Sequence, residues 1–93
     1  MPFNKPLRPY TVLDVTKVGA GQVGVYGLFS RGVCVYVGVG DIREKIVGHL
    51  TGDSTVIARA NPDQWTAEIT PNYTARLKAL ATELKPACNR KAG

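Results

Sequence analysis

GVYGLFSRGVCVYVGVGD, Gly24 to Asp41, carries two tyrosines ten residues apart on two glycine-dotted runs that read as the strands of a hairpin. Core strands usually fill such positions with Val or Ile, so two phenols with a glycine near each need a reason. A three-residue loop, Ser30-Arg31-Gly32, puts Gly32 in the left-handed position that glycine alone occupies cheaply. In that register Tyr26 faces Tyr36, Leu28 faces Cys34 and Gly24 faces Gly38. Val25, Gly27, Phe29, Val33, Val35 and Val37 then share the other face, which is expected to be the core side. A two-residue loop would shift the register by one and send the two phenols to opposite faces. The longer loop is expected because it uses Gly32.

Downstream of the hairpin, Asp41 is placed to cap a helix, with Glu44 three residues on in a capping-box arrangement. Ile42, Ile46, Val47 and Leu50 form its apolar stripe. Lys45 and His49 are four apart and can point to one place, whereas Arg43 lies about 160° round the helix from Lys45. Residues 51–63 are turn-rich, with room for a short helix over 55–60. QWTAEIT, Gln64 to Thr70, alternates like a half-buried strand. Thr70-Pro71 opens a last helix whose stripe is Tyr73, Leu77, Leu80, Ala81 and Leu84. Lys85-Pro86 ends it.

Upstream, residues 1–9 are proline-rich and read as an extended lead-in, Tyr10 to Val18 as a β-branched strand candidate, and Gly19 to Gly24 as a connector. Residues 1–23 are therefore expected to be an extension, 24–89 the domain and 90–93 a tail. The order of elements defines an α+β class: a small antiparallel sheet of three strands, or four with the N-terminal candidate, flanked by helices.

The totals narrow the function classes. Ninety-three residues, 44% hydrophobic and 20% charged, fit one soluble domain. No apolar run is long enough for a membrane span, and the first ten residues lack the apolar stretch of a signal peptide, so a cytoplasmic location is expected. Cys34 and Cys88 are too few for a disulfide scaffold, lack metal-ligand spacing, and are expected to be reduced thiols with no disulfide-linked partner. Twelve Lys and Arg against seven Asp and Glu leave a net charge of +5. That excess suits an anionic partner such as nucleic acid, though it also serves solubility, and the basic residues are scattered.

Gly24-Val25-Tyr26, then Tyr36-Val37-Gly38, then a helix with a basic residue and a His four apart, then Lys85-Pro86 with Asn89, resemble the GIY-YIG nuclease family over residues 24–89. The resemblance implies metal-assisted phosphodiester hydrolysis on DNA more than RNA, with Mg2+ or Mn2+ as cofactor. It implies Tyr26 as the general base, Tyr36 as the partner that orients the attacking water, Lys45 at the phosphate and His49 assisting. Arg43 and Asn89 join Lys45 as nucleic-acid contacts, Asn89 also helping to order the site. The chemistry is sensible, because a phenol is a poor base at neutral pH until cations lower its pKa. Glycines beside each phenol would let a nucleic-acid backbone approach the sheet.

Two departures from the family pattern matter. Lys45 stands where the family has an arginine, and an ammonium cannot make the planar two-pronged contact of a guanidinium. Leu77 stands where the family has its metal-binding glutamate, inside the apolar stripe of the last helix. Glu83, six residues on, is about 240° round and 9 Å along that helix. Glu68 could substitute only if its face of the strand turns toward the phenols. Three classes follow: a metal-dependent endonuclease, a nucleic-acid- or protein-binding module on the same fold, and a structural domain without DNA affinity. In the blandest case Tyr26 and Tyr36 are cross-strand neighbours that stabilise the sheet and His49 is a helix-dipole partner. Leu77 weighs toward weakened or absent hydrolysis.

Overall fold

A computed structural model describes residue 3, residues 5–52 and residues 54–88. In chain order these form β1 (Arg8–Pro9), α1 (Val12–Val15), β2 (Val23–Ser30), β3 (Val33–Asp41), α2 (Ile42–Leu50), α3 (Thr55–Ala60), β4 (Gln64–Ile69) and α4 (Tyr73–Leu84). The strands make one sheet in the order β1-β4-β2-β3, every pairing antiparallel. This is the expected α+β architecture.

The hairpin turns differently from the expectation. Ser30 pairs with Val33, so the loop is the two residues Arg31 and Gly32, both with positive φ (52° and 80°), the geometry of a type I′ turn. Phe29 then faces Cys34. Between Leu28 and Phe29 the register slips, and Val35 is the extra residue of a bulge on β3. Beyond it Leu28 faces Tyr36, Tyr26 faces Gly38 and Gly24 faces Gly40. The short loop alone would have separated the phenols; the bulge puts them back on one face as diagonal neighbours. It also swaps Cys34 and Val35. Cys34 packs with Phe29 and Val37, away from the phenols, while Val35 packs on the phenol side. Burial pushes the Cys34 thiol up to about 11.

A one-sided core is likewise corrected. One layer, beneath α1, α2 and α3, gathers Val15, Tyr26, Leu28, Ile42, Ile46, Ile57 and Trp65. The other, beneath α4, gathers Phe3, Val25, Phe29, Val37 and Leu80, with Leu77 and Leu84 packed against them. The alternating face of β4 that pattern reading left to solvent is therefore covered, with Thr66 and Glu68 buried. Phe3 and Val15 sit in these two layers, so the stretch expected as an extension supplies core side chains.

Tyr10 to Val18 is not a strand. Thr11 caps α1 by accepting the Asp14 N–H at 3.2 Å. The Asp14 carboxylate accepts from Arg8 Nε at 2.9 Å and from Trp65 Nε1 at 3.0 Å, and the Arg8 guanidinium lies 4.7 Å from the Trp65 ring centre. The edge strand is instead the two residues Arg8–Pro9 against Trp65 and Gln64. Local β-branching loses to this knot of charge and ring contacts.

The helix ends follow the sequence more closely. Asp41 caps α2, accepting N–H groups of Glu44 at 3.0 Å and Gly21 at 2.8 Å, and these bonds hold its carboxyl below the usual value. Ser54 caps α3, and Lys85 closes α4 in the left-handed conformation before Pro86. Among the described residues, no helix is long and apolar enough to cross a membrane.

Candidate functional site

Tyr26 on β2, Tyr36 on β3 and His49 on α2 meet on one face of the sheet. Asp41 starts α2 directly at the end of β3, and burial of Ile42 and Ile46 turns the helix so that His49 lies over the strands. The Tyr26 hydroxyl is 2.7 Å from His49 Nε2. Ring centres are 6.1 Å apart for the two tyrosines, 5.7 Å for Tyr26 and His49, and 5.4 Å for Tyr36 and His49, the last pair edge to face. The two phenols and the imidazole form one contiguous aromatic cluster.

Exposure divides this cluster. Tyr26 is only 1% exposed, while Tyr36 and His49 are half-buried and Lys45 is exposed. The Lys45 stem passes over Gly40, where a Cβ would come 3.0 Å from Lys45 Cε. Gly40, Gly38 and Tyr36 share one face of β3. The solvent-facing surface is therefore Tyr36, His49 and Lys45, and Tyr26 communicates with it through its bond to His49. A phenol hydroxyl and an imidazole nitrogen at this separation can pass a proton between them.

The glycines serve internal packing more directly than ligand approach. A Cβ on Gly38 would overlap the Tyr26 hydroxyl and lie 2.8 Å from Tyr36 Cε2, and one on Gly24 would overlap the main-chain carbonyl oxygen of Glu68. Gly38→Ala is expected to move Tyr26 off His49 at a stability cost of about 1–2 kcal/mol, since flexible side-chain ends can yield. Thermal unfolding would read the cost, and a shift of the His49 ring resonances in NMR spectra would report the lost bond.

Other sequence candidates fall elsewhere. Arg43 lines a groove between α1 and α2 with Val12, Thr16, Ala20, Glu44 and Val47, and is not brought to Lys45. Asn89 lies outside the described residues. Glu68 pairs across β4 with Val25, so its side chain takes the α4 face, opposite the phenols. There Arg76 holds it in a two-pronged ion pair, Nε to Oε1 at 2.9 Å and Nη2 to Oε2 at 3.0 Å. The same hydrogen bonding raises the Arg76 pKa further. Sequence reading had no signal for this pair, because its members sit on different elements with no spacing rule between them.

The six carboxylates among the described residues can be followed one by one. Asp14 is held by Arg8 and Trp65, Asp41 caps α2, Asp63 accepts the Arg31 N–H, and Glu68 is bound by Arg76. Glu44 faces the α1–α2 groove and Glu83 is exposed on α4. Leu77 packs in the apolar layer under α4. Among the described residues no group of three or more His, Cys, Asp or Glu side chains could hold a metal ion. A hard divalent cation takes oxygen ligands, carboxylates above all. The residues present beside the phenols do not fit one.

Structural comparison gives the fold its class. The chain superposes on the GIY-YIG N-terminal endonuclease domain of UvrC from Thermotoga maritima bound to its catalytic magnesium, with TM-score 0.72 at 17% identity, over 84% of this chain and 94% of that one. A tyrosine-to-phenylalanine point mutant of that domain, also with its divalent cation, matches at TM-score 0.72 and 15% identity over 84% and 94%. An asparagine-to-alanine mutant matches at 0.71 and 16% over 83% and 92%. No protein-family model and no curated protein sequence matches the chain. The protein has a GIY-YIG-like nuclease fold, reached at low sequence identity.

Proposed function

We propose that this nuclease-fold domain binds DNA across the surface formed by Tyr36, His49 and Lys45, without a resident divalent metal. The observation that carries this reading is the fate of the acids: Leu77 is packed in an apolar layer, and Glu68 is ion-paired on the far side of the sheet. What remains beside the phenols is a cation, an imidazole and a phenol, a donor set for phosphate oxygens. The net charge of +5 favours the same partner. Anisotropy of a fluorescein-labelled DNA duplex, titrated in EDTA across a range of salt, tests it. Binding is expected to be retained in EDTA and to weaken with salt, and Lys45→Ala to lower the salt slope by about one. Binding that requires a divalent cation would overturn it.

One observation favours a second reading, metal-assisted endonuclease activity. The Tyr26–His49 bond and the adjacent Tyr36 keep the phenol cluster that the family resemblance implies for catalysis. Nicking of supercoiled DNA in manganese, abolished by Tyr26→Phe, would establish that reading; intact plasmid at saturating manganese would remove it.

A further inference from the structure

The tip of the β2–β3 hairpin holds a residue that its turn type does not favour. Arg31 has φ of 52°, in the left-handed region where glycine and asparagine are at home and an arginine is costly. Among the described residues, the other non-glycine positions with positive φ, Asn61 and Lys85, cap the ends of α3 and α4, where that conformation is the common ending. Arg31 has no helix to close.

The turn is nonetheless held firmly. Asp63 Oδ1 accepts the Arg31 main-chain N–H at 3.2 Å, and the Asp63 N–H donates to the Phe29 carbonyl at 2.8 Å. Asp63 thus braces the backbone of the tip. The Arg31 guanidinium has no ion pair or hydrogen bond among the described residues, unlike Arg8 and Arg76, which are bound to Asp14 and Glu68. Beside it Val33 is 65% exposed, although it begins a strand in a sheet buried on both sides. A rigid two-residue tip therefore presents an uncommitted cation and an apolar side chain together, and backbone strain at an exposed turn marks a position kept for something other than stability.

We infer that this tip is a second DNA contact, with Arg31 entering the minor groove of a duplex that lies along β3. The inference rests on the DNA-binding reading of the Tyr36–His49–Lys45 surface. The extended Arg31 side chain, unlike the two-stranded ribbon behind it, fits a groove about 6 Å wide. Guanidinium groups are drawn into narrow A-tract minor grooves by their enhanced negative potential, and apolar side chains serve as wedges there. With Val35 bulged out, Val33 is two paired steps from Tyr36 on the same strand, about 7 Å at the rise of a strand. The tip would then meet the duplex about two base pairs from the phosphate held at Tyr36.

Arg31→Asn tests this cleanly, because asparagine suits the left-handed turn position better than arginine and the melting temperature should hold or rise. Anisotropy would compare wild type, Arg31→Asn and Lys45→Ala on an A-tract duplex and on a G·C duplex of equal length. Wild type is expected to prefer the A-tract duplex. Arg31→Asn is expected to lose at least about threefold in affinity there, with a salt slope lower by about one, and to lose the preference. Unchanged binding by Arg31→Asn alongside weakened binding by Lys45→Ala would overturn the tip contact and leave the Tyr36–His49–Lys45 surface standing. An equal loss on both duplexes would overturn the minor-groove assignment. Wild type that binds neither duplex would remove the DNA-binding reading and this inference with it.

Discussion

Gly24→Ala is expected to be among the most damaging single changes in the chain, lowering stability by about 3 kcal/mol or more. Gly24 lies between β4 on one side and β3 on the other. A methyl group there would overlap the Glu68 carbonyl oxygen and come within 2.9 Å of both the Glu68 carbonyl carbon and Ile69 Cα. All three atoms are main chain, so no side chain can swing aside, and relief requires β2 and β4 to part. The measurement is the urea midpoint at unchanged m-value. A shift no larger than that of Gly38→Ala would show that β4 gives way more easily than the packing implies. The two glycines of the sequence signature thus have different physical reasons, one a neighbouring backbone and the other the ring of Tyr26.

Arg76→Ala is expected to cost about 3 kcal/mol, at the low end for a broken buried pair because the Arg76 side chain is a third exposed. Its loss would leave the Glu68 carboxylate, 8% exposed between β4 and α4, without the guanidinium that satisfies both oxygens. Removing both charges should behave differently. Glu68→Leu with Arg76→Met is expected to return to within about 1 kcal/mol of wild type or to exceed it, since well-packed apolar replacements commonly match buried ion pairs. Chemical unfolding of the two single variants and the double variant gives the coupling energy directly. Because the pair lies across the sheet from Tyr26 and His49, the double variant should leave DNA affinity unchanged. A double variant as unstable as Arg76→Ala would mean that the carboxylate is not the source of the loss.

The features legible in the sequence were those set by near neighbours. Asp41 with Glu44, the stripe Tyr73, Leu77, Leu80 and Leu84, and the Lys85-Pro86 stop each act within one or two turns of chain. The phenols were found side by side as expected, but for a different reason, because loop length was inferred from what suits Gly32 and an arginine with positive φ gives no pattern to read. The helix at Val12–Val15 was hidden by its β-branched composition and is explained by Asp14, whose partners Arg8 and Trp65 lie 6 and 51 residues away in sequence. The second core layer was equally invisible. Whether β4 is covered on one side or two depends on where α4 and Phe3 come to rest, which no alternation within QWTAEIT records. For the candidate site, spacing singled out Tyr26, Tyr36, Lys45 and His49, of which the fold brings the two phenols and the imidazole into contact; it could not say that Tyr26 would be the enclosed member or that Glu68 would be committed to Arg76.

The extra residue at Val35 has a consequence for how such a chain can change. A bulge residue stands outside the ladder, so deleting Val35 would keep Phe29 opposite Cys34 and Leu28 opposite Tyr36, and both phenols would stay on one face. A residue added between Ser30 and Val33 would likewise lengthen the loop without disturbing those pairs. Pairing Val35 regularly with Leu28 at the present chain length would instead place Tyr36 opposite Gly27 and turn it toward α4. The hairpin can therefore gain or lose a residue at either irregularity, but it cannot be straightened at its present length, and chains that keep both rings together need not carry the bulge.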